Sequence, residues 1–314
     1  MQRPSTSAAS ATTTVPHRLI SARSRNGLFH LFGEILPPRG RMLIASTLAL
    51  FVTLTSSGCS HSENHYLGLL GRSTTGRLNI GITFDQPGLG QRLADDTVRG
   101  FDVDVAKYIA NELNVPEQSI TWKQVLLANR EGAIERGEVD FVAAAYSITP
   151  SRQQRVAFAG PYYIAGQDLL VRQDEKSING PGDLASRRLC SVTGTTSSEL
   201  LRRQYASTVR LVEFPRFDLC VTALLNSQVD AVTTDDLILA GYSAKNPELL
   251  RLVGQKFSVE RYGIGLRKDD ADGRRRVNEA IQKMIASGAW KAALSKNFPD
   301  PDFTPSPPPL AGRN

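Results

Sequence analysis

One stretch of this chain repeats its own pattern further along. Ala133-Ile134-Glu135-Arg136-Gly137-Glu138-Val139-Asp140 leads into an apolar run, and Ala223-Leu224-Leu225-Asn226-Ser227-Gln228-Val229-Asp230 leads into Ala231-Val232-Thr233-Thr234; the offset is 229 − 139 = 90 residues. Each copy reads as a helix feeding a strand whose end carries polar groups, Ser147 and Arg152 in the first and Asp235 in the second. Two copies are too few for a solenoid. They fit two similar α/β lobes that present their strand ends to a shared cleft, the usual ligand location in open α/β sheets.

The surrounding sequence keeps to that plan. Leu78, Ile80 and Ile82 have period two and predict a strand, whereas Phe101, Val105, Ile109 and Leu113 recur every four residues and predict a helix. Asp102 and Asp104 fall in its first turn, where the helix dipole favours negative charge. Residues 141–146 form a continuous apolar run of strand length, as expected of a buried parallel strand. Residues 188–193 read as a further strand, turning at Gly194 into a helix over 197–205. Strands alternating with helices mean an α/β architecture.

The ends of the chain have a different character. Residues 1–41 carry six Arg against one acid, Glu34; residues 42–54 are uncharged and mostly apolar, and Thr55-Ser56-Ser57-Gly58-Cys59-Ser60 follows. A basic region, a short apolar run and a small-residue cleavage site describe an export signal over 1–58. The 13 residues of 42–54 are short for a permanent span, which needs roughly 20. Cys59 directly after Gly58 resembles the acylated Cys of bacterial lipoproteins, although Ser56 stands where that motif usually has an aliphatic residue. The alternative is a plain secreted chain, and translation starting nearer Met42 is also open. Six Arg minus Glu34 give the signal +5 of the formal +6, leaving 6 − 5 = +1 for the mature chain. The basic pI therefore gives no ground for nucleic-acid binding.

Residues 59–76 are rich in Ser, Gly and Thr and read as a flexible tether. Residues 299–314, with Pro305, Pro307, Pro308 and Pro309, read as a disordered tail. The remainder is long enough for one large domain or two lobes. All four His (His17, His30, His61, His65) lie in the signal or the tether. That excludes Ser-His or Cys-His catalysis and a His-based zinc site in the folded part, and no cofactor motif stands out: Gly88-Leu89-Gly90 lacks the third Gly and helix context of a dinucleotide loop. Trp122 and Trp290 read as core. Cys190 and Cys220 are left over in an exported domain and are expected to be bridged, the alternative being small buried thiols.

The polar residues at predicted strand ends are Asp85, Arg130, Ser147, Arg152, Gly194-Thr195-Thr196 and Asp235. Cations and hydroxyls facing one or two carboxylates suit a small zwitterion, since each buried charge must meet an opposite one. The motifs Gly100-Phe101-Asp102-Val103-Asp104-Val105-Ala106, Tyr146-Ser147-Ile148-Thr149-Pro150-Ser151-Arg152, Phe158-Ala159-Gly160-Pro161-Tyr162-Tyr163, Thr193-Gly194-Thr195-Thr196-Ser197, Asp230-Ala231-Val232-Thr233-Thr234-Asp235-Asp236 and Tyr262-Gly263-Ile264-Gly265-Leu266 resemble the polar-amino-acid family of extracytoplasmic solute-binding proteins, and within it the actinobacterial glutamate-binding lipoproteins of ABC importers. The resemblance covers roughly residues 77–298.

That resemblance implies a two-lobe, periplasmic-binding-protein-like fold with a hinge and an interlobe cleft, no catalysis and no cofactor. Lobe 1 would take residues 77–165 and 258–298 and lobe 2 residues 166–257, with crossings near Gln167 and Phe257. Arg152 would clamp the α-carboxylate as a bidentate pair, and Asp235 would accept from the α-ammonium. Thr195 and Thr196 would meet the carboxylate at a helix start, and Ala145 and Ser147 would complete the pocket. Arg130, in an Asn129-Arg130 pair like that of acidic-amino-acid members, would supply the second cation for glutamate or aspartate, with Arg216 adding another from lobe 2. Each has a plainer reading: surface arginines for Arg130 and Arg152, a helix cap for Asp235, a turn-former for Asp85. The protein expected is a lipid-anchored monomer on the outer face of the cell membrane that hands its ligand to an ABC permease. The competing readings are a glutamine- or asparagine-preferring binder, a dehydratase or cell-wall lyase on the same fold, which would need a proton-transfer residue in the cleft, or a sensor acting through a partner.

Overall fold

The computed structural model describes residues 68–205, 207–299 and 303–309. The export signal, Cys59 and most of the tether lie outside these residues. Two five-stranded mixed sheets organise the rest. The first runs, edge to edge, Ile120–Gln124, Leu78–Ile82, Phe141–Val142, Glu260–Leu266 and Ala157–Ala165; the second runs Arg210–Phe214, Arg188–Val192, Ala231–Asp235, Gln167–Arg172 and Leu250–Leu252. In both, the first three strands are parallel and the last two join antiparallel. The echoed strands, Phe141–Val142 and Ala231–Asp235, occupy the central place in each sheet, so the repeat in sequence is a repeat in topology.

The chain passes between the sheets at residues 166 and 257–259, and the two passages are laced together. Phe257 N donates to Gln167 O at 2.9 Å, Gln167 N donates to Ser258 Oγ at 2.9 Å, and a Cβ on Gly166 would lie 2.8 Å from Ser258 O. Helix Phe101–Glu112 buries Phe101 against Tyr162, Tyr163 and Trp290; Trp290 Nε1 donates to Tyr162 O at 2.7 Å, and Trp122 is half-buried against the same core. Cys190 in strand Arg188–Val192 and Cys220 in helix Phe217–Leu225 form a disulfide, both fully buried.

Four local expectations change. Of residues 141–146 only Phe141–Val142 stays in the ladder; beyond it Asp102 and Arg130 take up backbone groups of Ala144 and Ala145, and Ala145 turns to φ +42°. The helix expected over 197–205 is α-helical over Thr196–Leu200 and π-helical over Leu201–Tyr205. The tether is ordered at its end: Leu69–Ser73 is a short helix whose Leu69 is buried and donates its N–H to Asp270 Oδ2 at 2.6 Å, while Arg72 pairs with Asp140 at 3.0 Å. The described part of the tail also packs. Phe303 meets Phe298 at 5.9 Å between ring centres, Ser306 N donates to Tyr163 Oη at 3.3 Å, and Pro309 is buried. Apolar residues that sequence composition averages away hold both segments to the core.

Candidate functional site

The polar strand ends of the two sheets face one another across a cavity lined by Leu127, Arg130, Ala145, Ser147, Arg152, Thr195, Thr196, Ser197, Thr234, Asp235 and Ile238. Its walls are close: the centre of a water-sized sphere can move through about 10 Å³, roughly the room one water needs. An outer recess of about 210 Å³ adjoins it at Arg152, walled by Glu131, Arg155, Gly194 and Glu199 among others.

Arg152 is carried by the short helix Pro150–Arg155, started by Pro150 and capped by Thr149, whose hydroxyl accepts from Arg152 N at 3.3 Å. Its guanidinium turns inward, 8% exposed, donating to Ser147 O at 2.8 Å and Gly194 O at 2.9 Å. Glu131 approaches it at 3.4 Å from the outer recess. Arg130 opens helix Arg130–Glu135 and is 1% exposed, which removes its reading as a surface residue. Its N–H groups reach Leu127 O at 3.0 Å, Ala144 O at 2.9 Å, Ala145 O at 3.1 Å and Gly194 O at 3.4 Å. Burial, and then the Arg152 charge, push its pKa down to about 10. No described carboxylate comes within 4.0 Å of it.

Asp235 ends its strand facing these cations. Its side chain makes no cap to the following helix; Oδ2 accepts from Tyr262 Oη at 2.6 Å, and the buried Oδ1 has no hydrogen-bond partner. Burial, reinforced by the nearby Glu260 charge, holds its carboxyl well above the usual range. Ser197 Oγ, also in the lining, is likewise buried and unpartnered. The threonine hydroxyls are engaged internally: Thr195 Oγ1 accepts from Ser198 N at 3.0 Å and donates to Val192 O at 2.7 Å, while Thr196 Oγ1 donates to Glu260 Oε2 at 3.0 Å. What remains free on this wall is backbone and Ser197.

Asp85 and Arg216 do not line the cavity. Asp85 Oδ2 accepts from Phe217 N at 3.0 Å and its carbonyl from Tyr242 Oη, so it fastens the short strand Asp85–Gln86 to the helices of the second sheet. Arg216 forms a fork with Asp218 at 3.0 and 2.9 Å, because a carboxylate two residues on in the same helix start is nearer than any ligand. Sequence reasoning also missed Leu127, Ser197, Thr234 and Ile238, none of which carries a charge to mark it, and Asp102, which supports Ala145 from behind. Asp102 is fully buried, accepting from Ala145 N at 2.8 Å and Tyr162 Oη at 2.7 Å.

Residues 78–300 match the model of the bacterial extracellular solute-binding proteins, family 3. The chain belongs to that family. The glutamate-binding protein GluB of Corynebacterium glutamicum is 40% identical over 269 residues, covering 82% of this chain and 90% of the relative. The ABC transporter glutamine-binding protein GlnH of Bacillus subtilis is 32% identical over 63% of this chain and 72% of its own length. Among solved structures, an ancestral arginine-binding protein bound to glutamine is similar with a TM-score of 0.66 at 30% identity, covering 72% of this chain and 99% of that one. The family consists of solute-binding proteins, and this chain is one of them and not an enzyme. Among the described residues no helix is long and apolar enough to cross a membrane, and no cluster of His, Cys, Asp or Glu could hold a metal ion.

Proposed function

We propose that the protein captures an acidic amino acid, glutamate or aspartate, outside the cell and delivers it to the permease of an ABC importer, acting as a monomer anchored through acylated Cys59. The observation that carries the reading is the charge of the cavity wall. Arg130 and Arg152 face one carboxylate, Asp235, so the lining's formal charge, counted with Asp235 ionised as an incoming ammonium favours, is 2 − 1 = +1, complementary to a ligand with two carboxylates and one ammonium. Arg152 takes the α-carboxylate, the free Oδ1 of Asp235 accepts from the α-ammonium, and Arg130 takes the side-chain carboxylate. A neutral side-chain amide would leave Arg130 buried without a counter-charge, which costs several kcal/mol.

The similarity to GluB supports this reading. One observation favours glutamine instead: four carbonyl oxygens already accept from Arg130, and a guanidinium has five donors. The narrow cavity means that a ligand enters only if the sheets separate, so lobe 1 (77–165 and 258–298) and lobe 2 (166–257) open about the laced passages and close over the ligand.

Calorimetry with glutamate and glutamine decides the specificity. Arg130→Ala should cost glutamate about 2–5 kcal/mol, the scale for truncating one partner of a buried charge pair, and leave glutamine nearly unchanged. Equal losses, or tighter glutamine binding by the unaltered protein, overturn it. For the anchor, the mature N-terminal peptide should carry fatty acyl groups on Cys59 by mass spectrometry; an unmodified Cys59 or cleavage elsewhere refutes that part.

A further inference from the structure

Two guanidiniums in one narrow cavity repel, and among the described residues the one carboxylate within 4.0 Å of either, Glu131, meets Arg152 alone. Both guanidinium carbons instead lie near one aromatic ring: Arg130 Cζ is 4.3 Å and Arg152 Cζ 5.2 Å from the centre of Tyr146. The ring is fully buried and its seat is built from two sides. Phe158 meets it edge-on at 4.7 Å and 70°. In strand Glu260–Leu266 the facing residue is Gly265, where a Cβ would stand 2.6 Å from Tyr146 Cε1. The chain thus omits a side chain from an interior strand to make room for this ring.

We propose that Tyr146 is a positioning residue that sets ligand specificity: its ring holds Arg130 and Arg152 side by side, letting two like charges face one ligand that bears two carboxylates. The electron-rich face of an aromatic ring attracts cations, most strongly where water is excluded, and the same ring fixes the two planes so that little side-chain freedom is lost on binding. The inference rests on the acidic-ligand reading. An aliphatic side chain at 146 would fill similar space without the attraction, so the arginines would move apart and the dicarboxylate would lose more than the amide.

The test compares the unaltered protein with Tyr146→Phe, which keeps the ring, and Tyr146→Leu, which removes it. Calorimetry with glutamate and glutamine should show Tyr146→Phe within about threefold for both ligands, and Tyr146→Leu weakened about tenfold or more for glutamate but less than threefold for glutamine. Equal losses for both ligands, or a Phe variant as impaired as the Leu variant, overturn the proposal. A second reading needs no unstable variant: in arginine-labelled unaltered protein the Nε proton of Arg130 should be shifted upfield by the ring current, and an ordinary random-coil position refutes the contact. If the unaltered protein prefers glutamine, the acidic-ligand reading fails on that ratio alone, while the ring-current shift still decides whether Tyr146 holds the arginine.

Discussion

Asp102→Asn should change how stability depends on pH, by an amount the structure fixes. Asp102 is fully enclosed, and burial raises its pKa from 3.8 to about 6, with the bonds from Tyr162 Oη and Ala145 N pulling the other way. A carboxyl that holds its proton more tightly when folded stabilises the native state fully below the unfolded pKa, and that stability is lost as pH rises through the folded pKa. The interval is 6 − 3.8 = 2.2 units, which at 1.36 kcal/mol per unit is about 3 kcal/mol. Asn keeps the shape and carries no titrating proton, so any lost hydrogen bond is a constant offset. Urea unfolding from pH 3.5 to 7.5, in steps of about half a unit, should show the difference in stability, Asp minus Asn, falling by about 3 kcal/mol between roughly pH 4 and 6 and flat above. Asp85, Asp168 and Asp235 are raised in the same direction, and taking the difference removes them. A difference that is level across the range, or that grows with pH, would refute the reasoning.

Other outcomes follow from the cleft and its frame. Gly194 sits at φ +81°, and a Cβ there would be 2.5 Å from Ala128 Cα across the cleft; Gly194→Ala should weaken ligand binding about tenfold or more and lower stability by only about 1–2 kcal/mol from the left-handed backbone, and unchanged affinity in calorimetry would show that the two sides need not approach this closely. Replacing Cys190 and Cys220 together opens a loop of 30 residues and should lower stability by roughly 3–4 kcal/mol on the chain-entropy model; a urea midpoint equal to that of the unaltered protein would count against it.

The sheets were legible in the sequence because their signals are local. Leu78, Ile80 and Ile82 alternate within five residues, and the 90-residue echo repeats a helix, an aspartate and an apolar run in one order. Arg152, Asp235 and Arg130 were legible as charges placed where strands end. What could not be read depends on partners far away in the chain. Asp102 looks like any acidic residue in a first helical turn until Ala145, 43 positions on, brings its N–H to it. Asp85 resembles a ligand residue in isolation, but its oxygen is taken by the backbone of Phe217, 132 positions away. Arg216 was lost to the opposite cause, a partner too near to be noticed. Residues 303–309 read as disordered from their prolines, whereas Phe303 and Tyr163 give them contacts that composition does not reveal.

The lacing at Gly166, Gln167, Phe257 and Ser258 has a mechanical consequence. Two extended segments bonded side by side form a flat strip, and a strip yields readily to bending across its face while resisting twist and sideways shear. Separate strands would let one sheet swivel on the other through more paths than a bonded pair does. On the proposed opening about this strip, a fluorophore attached to each sheet would report chiefly one coordinate, which suits the molecule to an optical gauge of free ligand.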